Sequence, residues 1–574
     1  MKLRKLARQL AAAAVAGAMA LSLCAPVLAA APAVDTVHLP QLVRSGLDAR
    51  NDAGEKLLGV VNIEDINCGI FAVPDGSGGY TAKFDGEGSS TLERDCSLSY
   101  DDATNTLTLD CRIPEERHYN ELMFDIGNGI NLHIKASQGG NYQLGRDVTI
   151  TGAADVTIEE NNNVLVGWDL TVRCTGALEI TGSGERLANG ALNVYNSDSV
   201  KVNGSCSHYY LFESADITSK GAVTLKNTGG YSPDAVYGAL NVKAGGAVTV
   251  ESSGDCVKDD ATIESGGAVK LDAGGNGVIG AVGGKLTVKN STSVEVCSDG
   301  YGFPVIGGGA GIKSSGLVDV YRKDDRDGAV IKGDTRISSG GGVQLRNGTT
   351  AVDGKLMILQ SSSVYLNGKA ATGGANIASS GPVEVECLAN QEQNLTASGT
   401  GWDGYSVFEG EERWNTKDVT DLNAQQDSLV FGYTYTGNAK YLKITPVKMH
   451  TLTVDGGTAS VLNVQGRKSI RLYEGLDVAV QAAVPQLQKL DGRTGGAFCH
   501  RPAGRHLPDA RPRRDPDRRL QRPVHREGER HPAYHCGRQH RLLRGRCQGG
   551  RDGRPAQRNG GVCGLDGGGQ RRGV

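Results

Sequence analysis

The stretch VTITGAADVTI, residues 148–158, contains two apolar-alternating strands of three residues joined by a short link with a glycine. The same doublet recurs as far as Val385, and the first strands of successive doublets lie 19 to 26 residues apart. The further copies begin at Leu170/Leu178, Leu192/Val200, Ile217/Val223, Leu240/Val248, Ile263/Val269, Leu286/Val294, Ile312/Val318, Ile337/Val343, Leu356/Val364 and Ile377/Val383. A near-fixed period of this length predicts a stacked repeat architecture, because no single unit could bury its apolar face alone.

A third, more variable apolar segment lies between each doublet and the next, as at residues 164–166 and 305–306. Three short strands per repeat, without a helical period, predict one coil of a parallel β-helix. The eleven repeats therefore predict an all-β fold, a right-handed parallel β-helix of about 11 coils. At a strand spacing of roughly 4.8 Å, this helix would be on the order of 50 Å long.

The first 29 residues have the composition of a secretory signal peptide. Four basic residues up to Arg8 precede an uncharged run from Leu10 to Leu23, which small residues follow. This order predicts cleavage near Ala29 and a secreted or extracellular protein, with attachment to the cell surface left open. Cys24 follows a sequence similar to a lipoprotein signal, but Leu23 stands where such signals need a small residue, so ordinary secretion is favoured. The apolar run is too short to span a membrane.

Charge excludes one class of function for the part of the chain between residues 30 and 492. The chain has 61 basic and 64 acidic residues, of which residues 1–29 hold four basic ones and residues 493–574 hold 20 arginines and seven acids. The remainder is 37 basic and 57 acidic residues, a net charge of −20. A region this acidic is not expected to bind nucleic acid, whereas it could hold divalent cations or form a well-solvated exported surface.

Changes in pattern divide the chain into six segments. We predict a signal peptide (1–29), an N-terminal β cap and lead-in (30–147), the parallel β-helix (148–390), a C-terminal β cap or linker (391–448), a small β repeat (449–498) and a tail (499–574). Within the N-terminal cap, residues 97–110 read as a β-hairpin with a turn rich in Asp and Asn. Cys96 and Cys111 flank this hairpin symmetrically, so a cross-strand disulfide is predicted between them.

The tail differs in composition from everything before it. No lysine follows Lys489, and arginine, histidine, proline and glycine dominate without any apolar period. One interpretation is a basic segment that grips a polyanion. The favoured interpretation is a disordered product of out-of-frame translation. Its four cysteines lack a paired C-x-x-C spacing, so no zinc site is assigned.

Two stretches resemble known families of surface proteins. Residues 449–459 resemble the start of the divergent internalin-B-type repeats of gut Firmicutes, and the resemblance continues loosely to Phe498, with Arg493 where those repeats have tryptophan. The hairpin sequence YDDATNTLTL, residues 100–109, with the Leu-x-Val coils that follow, resembles exported β-helix proteins of clostridial and other gut Firmicutes. Many of these are described as carbohydrate-binding domain proteins, and a related clostridial family is associated with calcium and plant cell-wall polysaccharides. The second resemblance covers roughly residues 90–390 and implies a polysaccharide ligand, but it carries over no site-defining motif.

The densest group of carboxylates follows the strand that ends at Tyr321. Asp324, Asp325 and Asp327 could ligate calcium through oxygen, the only cofactor that the sequence suggests. Interspersed basic residues favour a solvated coil corner instead. A weaker acidic group at residues 255–260 has the same two interpretations.

Aromatic side chains are concentrated in the variable third segment. Rings exposed on one side of the helix could stack on the apolar faces of pyranose sugars, whereas rings that point inward would only replace Val or Ile in the core. The candidates for carbohydrate binding are Tyr209, Tyr210, Tyr231, Tyr237 and Tyr301, with Phe212 and Phe303 in equivalent positions.

Three functions remain open from the sequence. The favoured one is a non-catalytic secreted or cell-surface protein, a monomeric rod that binds polysaccharide or host glycan in adhesion. The second is a polysaccharide lyase or glycoside hydrolase on the same scaffold, which would need clustered carboxylates on one face. The third is a structural adhesin stalk. We assign no catalytic residue.

Overall fold

The computed structural model describes residues 54–483 apart from 114–118, 138–141, 162–163, 207–208, 231, 275–279, 301–302, 325–327 and 428–431. The predicted signal peptide and tail lie outside the described residues. The described chain is nearly all β, with 64% strand and 2% helix, and forms a parallel β-solenoid of about 12 turns. The predicted fold class is confirmed with one turn more than expected, and a right-handed β-helix is consistent with it.

The first sheet of the solenoid takes one strand from each turn. Strands are numbered here in chain order, and neighbours in the sheet pair in parallel. Its members are β6 (Glu121–Ile126), β9 (Asp147–Thr151), β12 (Leu170–Arg173), β15 (Ala191–Ser197), β18 (Ser214–Ser219), β21 (Leu240–Ala244), β23 (Ala261–Ser265), β25 (Leu286–Ser291), β27 (Ala310–Ser314), β30 (Thr335–Ser339), β33 (Leu356–Gln360) and β36 (Ala375–Ala378).

The second sheet packs its inward side chains into ladders. One ladder runs in unbroken register from Val156 to Val383, and each of its eleven Val or Leu side chains is at most 2% exposed. The second strand of each predicted doublet therefore stacks on the next, and the buried apolar area stabilises the solenoid. The strands are β7 (Asn131–Ser137), β10 (Val156–Asn161), β13 (Ala177–Gly182), β16 (Ser199–Gly204), β19 (Val223–Asn227), β22 (Val248–Ser252), β24 (Ala268–Ala273), β26 (Ser293–Ser298), β28 (Val318–Arg322), β31 (Gly342–Arg346), β34 (Ser363–Asn367) and β37 (Val383–Ser398).

The third sheet corresponds to the variable apolar segment of each repeat. Between β20 and β29 the sheet has no full strands, and single parallel bridges at Val257, Val282 and Ile306 connect Val236 of β20 to Ile331 of β29. The strands are β8 (Tyr142–Gly145), β11 (Val164–Val166), β14 (Arg186–Ala188), β17 (Tyr210–Phe212), β20 (Asp234–Val236), β29 (Ala329–Lys332), β32 (Thr350–Asp353) and β35 (Lys369–Ala371). The repeats vary in length mainly at the corner between the second and third sheets, because Val200 and Phe212 are 12 positions apart whereas Val364 and Ala371 are seven positions apart.

The corner between the first and second sheets repeats a Ser-x-Gly turn. A buried serine ends the strand, or follows it directly in the case of Ser379, and its Oγ accepts a hydrogen bond from the backbone N–H of the glycine two residues later, at 3.1 to 3.3 Å. The turns begin at Ser219, Ser265, Ser314, Ser339 and Ser379. This side-chain-to-backbone bond satisfies an amide that would otherwise be buried without a partner.

The N-terminal segment joins the solenoid earlier than the doublet period indicates. Antiparallel strands β1 (Lys56–Ile63), β2 (Ile66–Pro74) and β3 (Tyr80–Gly86) precede helix α1 (Ser89–Asp95) and the hairpin of β4 (Cys96–Asp101) and β5 (Thr106–Cys111). Strand β5 pairs in parallel with β7, and β6 pairs in parallel with β9. The parallel ladder thus begins at Thr106 and not at residue 148, because the first turn lacks the glycine-punctuated doublet.

Beyond the last turn the chain becomes antiparallel. The long β37 pairs with β40 (Gly432–Val447), which pairs with β38 (Gly404–Glu412), and β38 also pairs with β39 (Asn415–Asp418). A small β unit with its own apolar cluster follows in the region predicted as a β repeat, and residues 484–498 of that repeat lie outside the described residues. Its strands are β41 (Met449–Thr453), β42 (Gly457–Val461), β43 (Val464–Arg467), β44 (Ser469–Tyr473) and β45 (Ala479–Ala482).

Candidate functional site

A group of rings and cations lies on the outer face of the third sheet. Arg186 begins β14, Tyr210 begins β17 with Tyr209 just before it, Tyr237 directly follows β20, and Lys258 directly follows the bridging Val257 of the next turn. These four turns are consecutive, so neighbouring members lie roughly 4.8 Å apart along the solenoid. We call Arg186, Tyr209, Tyr210, Tyr237 and Lys258 the ring–cation cluster.

The members of the cluster contact one another directly. The Arg186 guanidinium lies 4.7 Å from the ring centre of Tyr209 and 5.0 Å from that of Tyr210. Its Nη1 also donates a 3.0 Å hydrogen bond to the Tyr210 hydroxyl. The Tyr210 and Tyr237 ring centres are 5.2 Å apart, and Lys258 Nζ lies 4.3 Å from the ring centre of Tyr237. The cluster is therefore a continuous surface of alternating cationic and aromatic groups.

A second ring–cation pair lies towards the N-terminal end of the same sheet. Trp168, two residues after β11, is 48% exposed, and the Arg146 guanidinium lies 5.4 Å from its ring centre. Arg146 follows β8 directly, so the pair occupies the two turns before Arg186. Cationic and aromatic side chains thus succeed one another over six turns of the third sheet.

The cations of this face are not engaged in ion pairs with the carboxylates that the structure describes, although the charge of Lys258 acts on Asp234 and opposes the rise in its pKa. Within the described part of the chain, none of Arg146, Arg186 and Lys258 forms an ion pair, and their close neighbours are rings. A cation on an aromatic ring keeps its full positive charge. These three cations can therefore attract an anionic ligand, in a protein region that is otherwise strongly acidic.

Two carboxylates lie on the turns that carry Tyr237 and Lys258. Asp234 pairs in register with Tyr210, and its Oδ1 accepts a 2.9 Å hydrogen bond from the backbone N–H of Asp255 on the next turn. Burial, and secondly the Asp255 carboxylate, raise the pKa of Asp234 to about 6. Asp255 is only 3% exposed, and its Oδ1 accepts a 3.2 Å hydrogen bond from the Gly280 backbone N–H. The charge on these turns consequently changes between mildly acidic and neutral pH.

The predicted carbohydrate-binding tyrosines have different outcomes. Tyr209 and Tyr237 are 55% and 45% exposed, and Tyr210 is half-buried between them, so three of the five predicted rings come together on one face. Tyr231 and Tyr301 lie outside the described residues. Phe212 is fully buried, as in the inward alternative, whereas Phe303 is exposed.

The predicted calcium ligands can be placed only in part. Asp324 is half-buried at the corner after β28, whereas Asp325 and Asp327 lie outside the described residues. Among the residues that the structure describes, no group of three His, Cys, Asp or Glu side chains is arranged to hold a metal ion. A calcium site that includes Asp324 remains a prediction.

The two cysteines predicted to form a disulfide lie opposite each other. Cys96 and Cys111 are direct partners in the antiparallel register of β4 and β5, and both are buried. Their Sγ atoms are 2.9 Å apart as free thiols. The disulfide stays a prediction, on residues that are correctly placed for it.

The sequence prediction missed the cations of the site and Trp168. A weak signal was available for each: Trp168 follows a third segment in the same way as Tyr237, and Lys258 occupies the position of Tyr237 one turn later. Arg186 precedes Ala188 by two residues, as Tyr210 precedes Phe212. These correspondences become visible only once the third segments are aligned in register.

Comparison with known proteins adds no relative. No protein family, no curated protein and no solved structure matches this chain. In the part of the chain that the structure describes, no helix has the length and apolar character needed to cross a membrane.

Proposed function

We propose that this chain is a secreted or cell-surface, non-catalytic polysaccharide-binding protein, and that the ring–cation cluster binds acidic glycans. The observation that carries the proposal is that Arg146, Arg186 and Lys258 lie against exposed rings and form no ion pair with a carboxylate of the described residues. Carboxylate or sulfate groups of a glycan would supply the missing anionic partners. The rings would supply apolar faces for the sugar CH groups between those partners.

The repeat of the solenoid supports an extended ligand. Successive turns present their outer side chains at a spacing of roughly 4.8 Å, so the six turns from Arg146 to Lys258 form a line of binding groups on the order of 24 Å long. A polysaccharide also repeats a similar unit along a line, so several weak contacts can act together. A compact small-molecule ligand would use only one part of this face.

One observation favours an enzyme as the second candidate. Asp234 has a pKa of about 6 and lies next to Asp255 on the turns of the ring–cation cluster. A carboxyl group with a raised pKa can transfer protons near neutral pH, as the acid of a glycoside hydrolase does. Asp255 is buried and already accepts a backbone hydrogen bond, so it is poorly placed to reach a substrate. We therefore rank catalysis below binding.

A single experiment separates these functions. The full chain is applied to an array of acidic and neutral polysaccharides and host glycans, with calcium or with a chelator, and each well is also assayed for released reducing or unsaturated ends. Retention on acidic glycans without product is the expected result. Product release would replace the proposal with a β-helix lyase or hydrolase. Absence of both would favour a structural stalk, and loss of retention with the chelator would indicate the predicted calcium.

A further inference from the structure

A polar, largely open cavity of about 440 Å³ lies at the corner between the second and third sheets. It lies over the ends of β10, β13 and β16 and the turns that follow them. Its lining consists of Glu159, Glu160, Thr181, Gly182, Ser183, Asn203, Gly204, Ser205 and Thr228. The volume is in the range of a small-molecule site.

Three side chains of the lining are stacked in register. Glu159 pairs with Thr181, and Thr181 pairs with Asn203, so a carboxylate, a hydroxyl and an amide follow one another at roughly 4.8 Å. Oε1 of Glu159 lies 3.1 Å from Nε2 of His133. Among the described residues that line the cavity, none is lysine or arginine. Its chemistry is thus the opposite of the cluster: it offers hydrogen-bond acceptors and hydroxyls, and its only charged lining groups are acidic.

A fixed carboxylate forms the inner wall. Glu160 is 2% exposed, and its Oε2 accepts hydrogen bonds of 3.0 and 3.1 Å from the backbone N–H groups of Ser183 and Gly184. These bonds hold together the turn that leads to Arg186. The cavity is therefore a formed part of the fold, in which the turn is fixed by a buried acceptor.

The cavity and the cluster are adjacent on the same turns. Arg186 comes three residues after Ser183, and Tyr209 comes four residues after Ser205. The charges of Glu160 and Arg186 also both affect the buried Cys206 thiol, whose pKa is raised to about 12 chiefly by burial. A polymer that lies on Arg186 and Tyr209 would therefore pass close to the lining residues Ser183 and Ser205 of the same turns.

We propose that this cavity binds a neutral sugar residue through its hydroxyl groups, next to an acidic residue held by the ring–cation cluster. This inference rests on the proposed function for the identity of the polymer. Sugar hydroxyls donate to Glu159 and Asn203 and exchange hydrogen bonds with Thr181, whereas an anionic sugar would be repelled by Glu159 and Glu160. The preferred ligand is then a polysaccharide in which neutral and acidic residues alternate or occur together.

The test is an NMR titration of the full chain, in which the threonine methyl groups are labelled with ¹³C. The chain is titrated with methyl β-glucoside, methyl β-galactoside or galacturonate. The signals of Thr181 and Thr228 are expected to shift with a neutral glycoside and not with galacturonate, while Thr171 on the first sheet stays unchanged. Asn203→Leu should lower the affinity for the neutral glycoside by about fivefold or more, since one hydrogen bond contributes about 1 kcal/mol. Asn193→Leu, the same change on the first sheet, is the matched control and should leave the affinity unchanged.

The result separates this inference from the proposed function. Binding of acidic polysaccharide without any shift at Thr181 and Thr228 would overturn the cavity as a sugar site and leave the cluster intact. Shifts at Thr181 and Thr228 in a chain that retains no polysaccharide would support the cavity and overturn the proposed function. An equal response to galacturonate would contradict the selectivity for neutral sugars.

Discussion

The outer faces of the second and third sheets use basic residues in opposite ways. On the second sheet, Lys226 and Lys270 bind Glu251 at 3.1 and 3.2 Å, and Lys270 and Lys323 bind Asp272 at 3.1 and 2.6 Å. On the third sheet, the cations contact rings. The same stacking therefore produces a face that neutralises itself and a face that leaves its positive charge available.

The two faces differ because different residues occupy the outer positions that lie in register on neighbouring turns. Where outer positions of neighbouring turns carry acids and bases, the spacing of roughly 4.8 Å lets them pair, and the pairs contribute modestly to stability. Where the outer positions carry rings, a cation of a neighbouring turn can stack on them. On the second sheet Arg346 stacks on Tyr321 and also pairs with Asp319, whereas Arg186 and Lys258 of the third sheet stack on rings without an ion pair to a described residue. The ion pairs of the second sheet neutralise part of its own charge, whereas the cations that we propose to bind acidic glycans lie along the third sheet.

Reversing a charge on each face should give the largest effect. Arg186→Glu places a negative charge between Tyr209 and Tyr210, and we expect affinity for a polyuronate to fall by about 100-fold, measured by isothermal titration. Lys226→Glu reverses a charge on the second sheet and serves as the matched control, with little change expected in binding. Equal losses for the two variants would show that only overall charge matters.

Removing a ring from each face should give the next largest effect. Tyr237→Ala removes the surface that Lys258 and Tyr210 contact, and affinity for the same polymer should fall by about tenfold. Tyr365 donates a hydrogen bond to Glu386 on the second sheet, so Tyr365→Ala should reduce thermal stability but not binding. Unchanged affinity in the Tyr237 variant would show that the ring of Tyr237 does not contribute to binding.

Breaking an ion pair tests the structural role of the second sheet. Lys226, and after it Lys270, hold the pKa of Glu251 below its usual range. Such a carboxylate contributes stability above its unfolded-state pKa, and this contribution is lost as the pH falls through the lowered folded-state pKa. Glu251→Gln should therefore reduce the free energy of unfolding by about 1 kcal/mol at pH 7 and have no effect at acidic pH, as followed by denaturant titration.

Asp216→Asn provides a control on the first sheet, because this carboxylate lies in register between Asn193 and Asn241 and forms no ion pair with a described residue. Its free energy of unfolding should match that of the parent at both pH values. A pH-independent loss in the Glu251 variant would mean that packing, and not charge, is what the substitution removes.

The smallest effect concerns the carboxylate of Asp234. Because burial and Asp255 raise the pKa of Asp234 to about 6, this group is ionised at pH 7.5 and protonated at pH 4.5. Asp234→Asn should thus strengthen binding of an acidic glycan by about threefold at pH 7.5 and leave it unchanged at pH 4.5. An identical gain at both values would show that Asp234 does not titrate in this range.

The core of the solenoid could be predicted because it depends on local pattern. Val156 and its ten successors recur at regular intervals, so their stacking follows from the period alone. Exposure of Tyr209 and Tyr237 could be proposed only as one of two alternatives, since the third segments are too short to fix which side faces outward. The structure decides it through register, which places Phe212 inward and Tyr210 outward.

The cations and the cavity could not be predicted for a related reason. Arg186 and Tyr209 are 23 positions apart, and they meet because the turn between them has the length that brings β14 beside β17. The lengths of the corners set such contacts, and no residue pattern encodes them. The start of the parallel ladder at Thr106 could not be predicted because β5 has the sequence of an ordinary hairpin strand. It pairs antiparallel with β4 and also in parallel with β7.

The central claim is that unpaired cations on the third sheet select acidic glycans. The most direct measurement compares binding of the full chain to a polyuronate and to the methyl ester of the same polymer, which differs only by loss of the negative charges. We expect tight binding of the acid, at least tenfold weaker binding of the ester, and loss of this difference in an Arg186→Gln, Lys258→Gln double variant but not in Lys226→Gln, Lys270→Gln. Equal affinity of the original chain for the acid and the ester would contradict it.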